Sequence, residues 1–311
     1  MTNKKNKIRN AIVFGGSGFL GSHVSDALTQ EGYEVTVFDL KESKYLKSGQ
    51  HLVTGDILDS SKVQEVVKGS DVVFHFAGVA DIKRANENPF DAVRSNILGT
   101  TTILDACVRE KVSRFIFAST VYVYSEHGGF YRSTKQACEM LIENYNKIYD
   151  LDFSILRFGS LYGRRANEFN WIHEIIKEAL TKGKMRRKGN GEELRDYIHV
   201  KDAAKACVDL LNNEYRNQYL IISGAQTIKV KELLKMICEM MNNKVEIEYL
   251  DEQMAGHYEV TPYTFRPRMG KKYISSINID LGQGILDTIY DVYKELKNSD
   301  DEKPVITLPD H

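Results

Sequence analysis

The first 160 residues alternate between two hydrophobic patterns. Short, nearly continuous apolar runs occur at AIVFGG (11–16), EVTVFD (34–39), HLVTGD (51–56), DVVFHFAG (71–78), RFIFAST (114–120) and DFSILRFG (152–159). Apolarity sustained over so few residues fits strands buried on both faces. Between them the spacing turns helical. Leu20, Val24, Ala27 and Leu28 form a stripe that stops at Gly32; a short helix is expected around 60–68 and a long one over 89–111. A further helix over 131–149 carries Ala137, Leu141, Tyr145 and Ile148 on one stripe. This alternation predicts an α/β fold with a doubly wound parallel sheet and right-handed crossovers. After about residue 160 the rhythm changes: helices near 169–182, 201–213, 229–242 and 283–297 alternate with short strands and loops. The pattern predicts a first domain over 1–165, a smaller second domain over 166–297 that partly returns to the first, and a loose tail over 298–311.

Composition narrows the function classes. The chain has 311 residues, 42% hydrophobic and 27% charged, with a formal net charge of -1, a globular balance with no global field to recruit nucleic acid or membrane. No apolar run approaches the roughly 20 residues of a membrane span. The basic N-terminus leads straight into a strand pattern and lacks the apolar stretch of a signal peptide. Cys107, Cys138, Cys207 and Cys238 form no close pairs and sit in apolar helical patterns. They read as reduced, buried residues of a cytoplasmic protein, and neither they nor the histidines show metal-ligand spacing. The basic run KGKMRRK (182–188) reads as a solvated loop or a steering patch. The aromatic stretch GHYEVTPYTF (256–265) reads as a pocket lining or packing, and Trp171 as core or pocket wall.

Candidate chemistry begins at the first strand–helix junction. FGGSGFLGSHV places Gly15, Gly18 and Gly21 around Phe19 and Leu20. Glycine there lets a turn take positive φ and lets a diphosphate approach the backbone, while the helix start offers free N–H groups. The junction of a doubly wound fold is the context such a motif requires. Asp39 ends the second strand, where a carboxylate binds ribose hydroxyls and repels a 2′-phosphate, favouring NAD over NADP. Farther along, Tyr131 and Lys135 lie four apart on a predicted helix, hence on one face. An ammonium beneath a phenol is expected to lower its pKa from about 10 and make it a base near neutral pH. Ser119 and Thr120 end the fifth strand, at the carboxyl edge where such sheets bind ligands.

In order, G-x-x-G-x-x-G, Asp39, GDI (55–57), HFAG (75–78), SNILGT (95–100), FAST (117–120), Tyr131/Lys135 and RDYIHVKDAA (195–204) resemble the extended short-chain dehydrogenase/reductases. The likeness is to their nucleotide-sugar epimerase and dehydratase branch and runs from about residue 8 to 297. It implies a Rossmann domain binding NAD, a nucleotide-sugar domain, and a homodimer formed through the helices at 89–111 and 131–149. It implies that Asp56 and Ile57 contact adenine, that Ala77 and Gly78 line the nicotinamide ribose and pyrophosphate side, and that Asn96 orders a lysine–water network. It implies Thr120 as the catalytic hydroxyl with Ser119 as the alternate, Tyr131 as base, and Lys135 on the nicotinamide ribose. Arg195, with Arg266 or Arg268, would hold the substrate diphosphate, and Ser160 stands where many members have Asn.

Two departures shape the expected activity. Thr120 and Tyr131 are only 11 apart, where many relatives insert a longer sugar-side loop. Val121 and Tyr122 follow Thr120, where 4,6-dehydratases carry an Asp-Glu pair, so dehydration is disfavoured. The expected activity is an NAD-dependent oxidation, at C4, of a UDP- or GDP-linked sugar in polysaccharide synthesis, as an epimerase. Net dehydrogenation or ketoreduction of a sugar such as a GDP-heptose is the alternative, followed by a non-catalytic NAD-binding role.

Overall fold

The computed structural model describes residues 10–250, 271–273, 278–299 and 303–308. Eight strands form one parallel sheet in the order β13-β10-β6-β5-β4-β1-β2-β3. They are β1 (Asn10–Phe14), β2 (Glu34–Asp39), β3 (Gln50–Thr54), β4 (Val72–His75), β5 (Arg114–Thr120), β6 (Phe153–Phe158), β10 (Gln218–Ile222) and β13 (Lys271–Tyr273). All six apolar runs are strands of this sheet, and β2 and β5 coincide with EVTVFD and RFIFAST. The reason for their continuous apolarity is visible in β1. Ala11 and Val13 enter the core on one face, with α1 (Phe19–Gln30) and α8 (Val200–Asp209). Ile12 and Phe14 enter the core on the other, with α2 (Ser60–Val67), α5 (Gly99–Arg109) and α6 (Gly129–Tyr149).

The strand order reverses direction between β1 and β4, and sheets of this kind open a crevice at the carboxyl ends of such strands. The long helix expected over 89–111 is divided: α4 (Pro89–Ala92), a π-helical turn over Val93–Leu98, then α5. It follows a short helix, α3 (Ile82–Glu87). In α6 the buried face is Thr134, Lys135, Cys138, Glu139 and Ile142. The expected stripe of Ala137, Leu141, Tyr145 and Ile148 lies beside that face, and Ile148 is exposed. The sheet-facing side of α6 is polar because it carries site and ion-pair residues, which an apolar periodicity cannot register. On the outward side of the helices assigned to a dimer contact, Phe90, Leu98, Phe130 and Met140 are exposed.

The second half builds a separate core from α7 (Trp171–Lys182), α9 (Val230–Met240) and α10 (Leu281–Lys297). It also returns strands to the first half, since β10 and β13 extend the main sheet and α8 packs on α1. Two small sheets complete it. One is β11-β9-β7, from β7 (Ser160–Tyr162), β9 (Leu194–His199) and β11 (Thr227–Lys229); the other pairs β8 (Lys184–Lys188) with β12 (Glu246–Leu250). The basic run is therefore the strand β8, not a loop. The expectation of a loose tail needs correction. Ile306 and Leu308 are buried in the second core, and the Val305 amide donates to Leu180 O at 2.7 Å. Cys238 is half-exposed while the other three cysteines are buried, and all four are free.

Candidate active site

The glycine turn is shaped by its neighbours. Gly15 has φ +78°, and a Cβ there would lie 2.6 Å from Ala77 N, at the end of β4. A Cβ on Gly21 would lie 2.1 Å from Gly15 O, so the first turn of α1 can rest on the loop only without a side chain. Gly18 caps α1 and offers no side-chain acceptor, so the first-turn N–H groups around Phe19 and Leu20 have no side-chain cap. Such a cradle fits the diphosphate of a dinucleotide. Asp39 sits beside it: its carboxylate accepts from Ser17 N at 3.0 Å and Lys41 N at 3.3 Å. Ser17 Oγ in turn donates to Lys41 O. Asp39 therefore also holds the glycine turn to the end of β2. Asp56 is exposed and accepts from Leu58 N at 2.9 Å, while Ile57 is buried against Gly99.

Asn96 lies in the π-turn and is buried. Its Oδ1 accepts from Val79 N at 2.7 Å, and its Nδ2 donates to Val79 O and to Thr134 Oγ1. Its side-chain amide thus pins the loop after β4 to α6. Gly78, at φ +138°, makes room for it, since a Cβ there would strike Asn96 Oδ1 at 2.4 Å.

Thr120 and Tyr131 come together. Thr120 ends β5, Tyr131 lies in the first turns of α6, and a hydrogen bond joins the two side chains. Burial pushes the Tyr131 phenol up to about 12, and the bond from Thr120 pulls in the other direction. The direction is opposite to the expectation that Lys135 would lower it. Lys135 is buried, its Nζ donates to Ala118 O at 2.8 Å, and it stands 4.6 Å from the centre of the Phe117 ring. Burial holds its own pKa below the ordinary lysine value. The i, i+4 spacing puts the two residues on one face, but the ammonium is directed to the strand beneath rather than to the phenol.

Ser119 does not join the site through its side chain. Its Oγ donates to Glu139 Oε1 at 2.5 Å, within a buried cluster where Glu139 pairs with Arg157 at 2.6 Å. Arg157 also bonds Tyr124 and lies 4.6 Å from the Tyr124 and Tyr219 ring centres. Glu139 lies about two turns beyond Tyr131 on α6, so the two adjacent hydroxyls meet different turns of one helix. Ser160 starts β7 opposite Tyr197 of β9. Arg195, on β9, is buried and donates to Leu194 O. Arg266 and Arg268 lie outside the described residues, as does the 256–265 stretch.

Tyr122, noted in the sequence only for lacking an acid group, stands with its ring edge-on to Tyr131, centroids 6.4 Å apart. Its place two residues after Thr120 was the available signal. The sequence reading left out His75, buried at the end of β4, whose Nε2 meets Thr100 Oγ1 at 2.9 Å. A pocket of about 70 Å³ lies at the carboxyl end of β10, walled by Tyr162, His199, Asp202, Ser223 and Tyr273.

Comparison with known proteins follows the same outline. The description of the NAD dependent epimerase/dehydratase family matches residues 11–221. A UDP-N-acetyl-alpha-D-glucosaminuronate decarboxylase from Bacillus cytotoxicus is 26% identical, over 93% of this chain and 99% of its own. A putative UDP-glucose 4-epimerase from Methanocaldococcus jannaschii is 29% identical, over 73% of this chain and 80% of its own. Among solved structures, the UDP-glucose 4-epimerase of Thermotoga maritima, with UDP-glucose, superposes with a TM-score of 0.81. That alignment has 25% identity and covers 92% of this chain and 99% of that one.

Proposed function

The chain belongs to the NAD-dependent epimerase/dehydratase family, and on that premise we propose that it oxidises the C4 hydroxyl of a UDP-linked sugar and restores it with inverted configuration, as a 4-epimerase. It is an NAD-dependent enzyme of the nucleotide-sugar class. The single observation that carries the finer reading is the bonded Thr120–Tyr131 pair at the carboxyl edge of the sheet. That edge also holds the glycine cradle and Asp39, on the strands next to the reversal of strand order.

Gly15, Gly18, Phe19, Leu20 and Gly21 would hold the diphosphate of NAD, and Asp39 the adenosine ribose; Asp56, Ile57, Ala77 and Gly78 would border the rest. NAD, when bound there, would supply the hydride acceptor. Tyr131 takes the proton from the sugar hydroxyl through its phenolic oxygen. Thr120 shares a hydrogen bond with that oxygen, which favours the charged form and orients the hydroxyl. Lys135, anchored on Ala118 O, brings a positive group beneath the same face. Asn96 keeps the β4 loop and α6 in register and so positions Tyr131. Arg195 would meet the substrate diphosphate with its planar fork, with Ser160 nearby and Arg266 or Arg268 from beyond the described residues.

Val121 and Tyr122 supply no acid–base pair for elimination, which weighs against dehydration. The relatives compared above are named for UDP-linked sugars, which favours UDP over GDP. The test is incubation of the protein and NAD with UDP- and GDP-linked hexoses, hexuronates and N-acetylhexosamines, with product sugars identified by NMR. A C4 epimer without accumulating NADH is expected. Accumulating NADH indicates a net dehydrogenase, loss of carbon dioxide from a hexuronate indicates a decarboxylase, and an unchanged panel contradicts the reading.

A further inference from the structure

The helix α6 meets the sheet through a polar stripe. Tyr131, Lys135, Glu139 and Glu143 recur every four residues and share one face of the helix. Each has a partner on the strands beneath. Tyr131 bonds Thr120, Lys135 donates to Ala118 O at 2.8 Å, and Glu139 accepts from Ser119 Oγ at 2.5 Å. One turn on, Glu143 accepts from the Tyr219 hydroxyl of β10. Three consecutive residues at the end of β5 are thus tied to three successive turns of α6.

The three ties differ in stiffness. Lys135 reaches its carbonyl on a flexible four-carbon stem, which can follow small movements of the strand. Glu139 grips more firmly. Besides Ser119 it holds Arg157 through two parallel bonds, Nε to Oε1 at 3.0 Å and Nη2 to Oε2 at 2.6 Å. Such a fork fixes direction as well as distance. Ser119 and Arg157 are opposed in the β5–β6 register, so one carboxylate clamps both strands at a single rung. The next rung pairs Thr120 with Phe158, and the chain then leaves the sheet. All three side chains of the clamp are buried, where water does not compete for their bonds. We propose that Glu139 is a positioning residue for the oxidation: by holding Ser119 against α6, it fixes Thr120, one residue on, at bonding distance from Tyr131. This rests on the reading of the chain as a nucleotide-sugar oxidoreductase in which Thr120 and Tyr131 meet one sugar hydroxyl. In this role Glu139 exchanges no proton with the sugar and acts through Ser119. An ion pair that serves stability alone would leave Thr120 unaffected when the Ser119 link is cut.

The experiment cuts the link without unpairing a charge. Ser119→Ala removes the hydroxyl and leaves Glu139 with Arg157, whereas Ser119→Thr keeps a hydroxyl. With saturating NAD and the UDP-sugar that the wild type turns over fastest, kcat and KM are measured across pH. The set is the wild type, Ser119→Ala, Ser119→Thr, Thr120→Val and the Ser119→Ala, Thr120→Val double variant, each checked by thermal melting. Ser119→Ala should lower kcat, toward the roughly 10²-fold loss that a misplacement of about 1 Å commands, and leave KM within about twofold. Its Tyr131 limb should move to higher pH, because the bond from Thr120 to the phenol is loosened. Ser119→Thr should recover most of the loss. In the Thr120→Val background, Ser119→Ala should cost less than about twofold more, because the residue it acts through is already gone. If the alanine variant does not fold, Ser119→Val against Ser119→Thr, equal in shape, makes the same comparison. An unchanged kcat in Ser119→Ala, or a loss that adds in full to that of Thr120→Val, overturns the proposal. A wild type inactive on every nucleotide sugar overturns the functional reading and this proposal together, whereas an active wild type with additive losses sinks this inference alone.

Discussion

Tyr131 shows how far a residue pair can be read from spacing. The i, i+4 rule places Tyr131 and Lys135 on one face of α6, and the structure agrees. Their electrostatic relation is a different matter, because it depends on which acceptor the ammonium finds, and here that is Ala118 O. The protein's own help for the phenolate comes from Thr120, against a burial that pushes the phenol up to about 12. The direction of a pH effect follows. A base must be deprotonated, so activity rises with pH along a limb governed by Tyr131. Removing the Thr120 hydroxyl weakens the charged form and raises that pKa further. In Thr120→Val the limb of the kcat/KM profile should therefore move to higher pH; a limb that stays in place or moves down would contradict the pairing. Ser119 illustrates the opposite limit: adjacent hydroxyls on a strand look equivalent in sequence, but one meets Tyr131 and the other Glu139, about two turns farther along the same helix.

At the scale of elements, the strands were legible because a parallel sheet covered on both faces leaves a simple signature, and β1, β2 and β5 carry it plainly. The long helices were legible in position but not in detail. The π-turn at Val93–Leu98 has no apolar signature of its own; it carries Asn96, whose bonds run to Val79 and Thr134. The polar inner face of α6 was hidden for the same reason. It rests on a buried ion pair between Glu139 and Arg157 of β6, in which the Arg157 side chain is 4% exposed. Removing one partner leaves a buried charge uncompensated. Glu139→Ala should lower stability by about 3–5 kcal/mol, seen as an earlier denaturant midpoint. A change below about 1 kcal/mol would mean that Arg157 is satisfied without it.

At the scale of the molecule, the first half could be anticipated as a nucleotide-binding sheet, whereas the weaving of the second half could not. β10 and β13 join the main sheet from far along the chain, and Ile306 and Leu308 seal the second core from a segment whose composition looked like a tail. Both are long-range packing choices with no local marker. Three histidines are folded into this structure in neutral form. His23 and His199 are lowered to about 4 and His75 to about 3, chiefly by burial, with the charges of Lys135 on His75 and Lys201 on His199 adding to it. Each depressed value contributes stability that is complete above the ordinary histidine pKa of 6.5. As pH falls through the window from 6.5 toward 4, the unfolded chain binds protons that the folded chain refuses, and that contribution is lost. Melting temperature should therefore hold level between about pH 7 and 8 and fall steadily below about 6. A profile flat down to pH 4 would show that these rings accept protons in place.

The most direct measurement is a single-turnover absorbance trace of enzyme-bound NAD reduced by the best UDP-sugar, recorded for the wild type and for Tyr131→Phe of equal melting temperature and equal NAD affinity. The wild type should form NADH transiently, and the variant should do so about 10²–10⁴-fold more slowly. A Tyr131→Phe trace that matches the wild type would contradict the assignment of Tyr131 as the base.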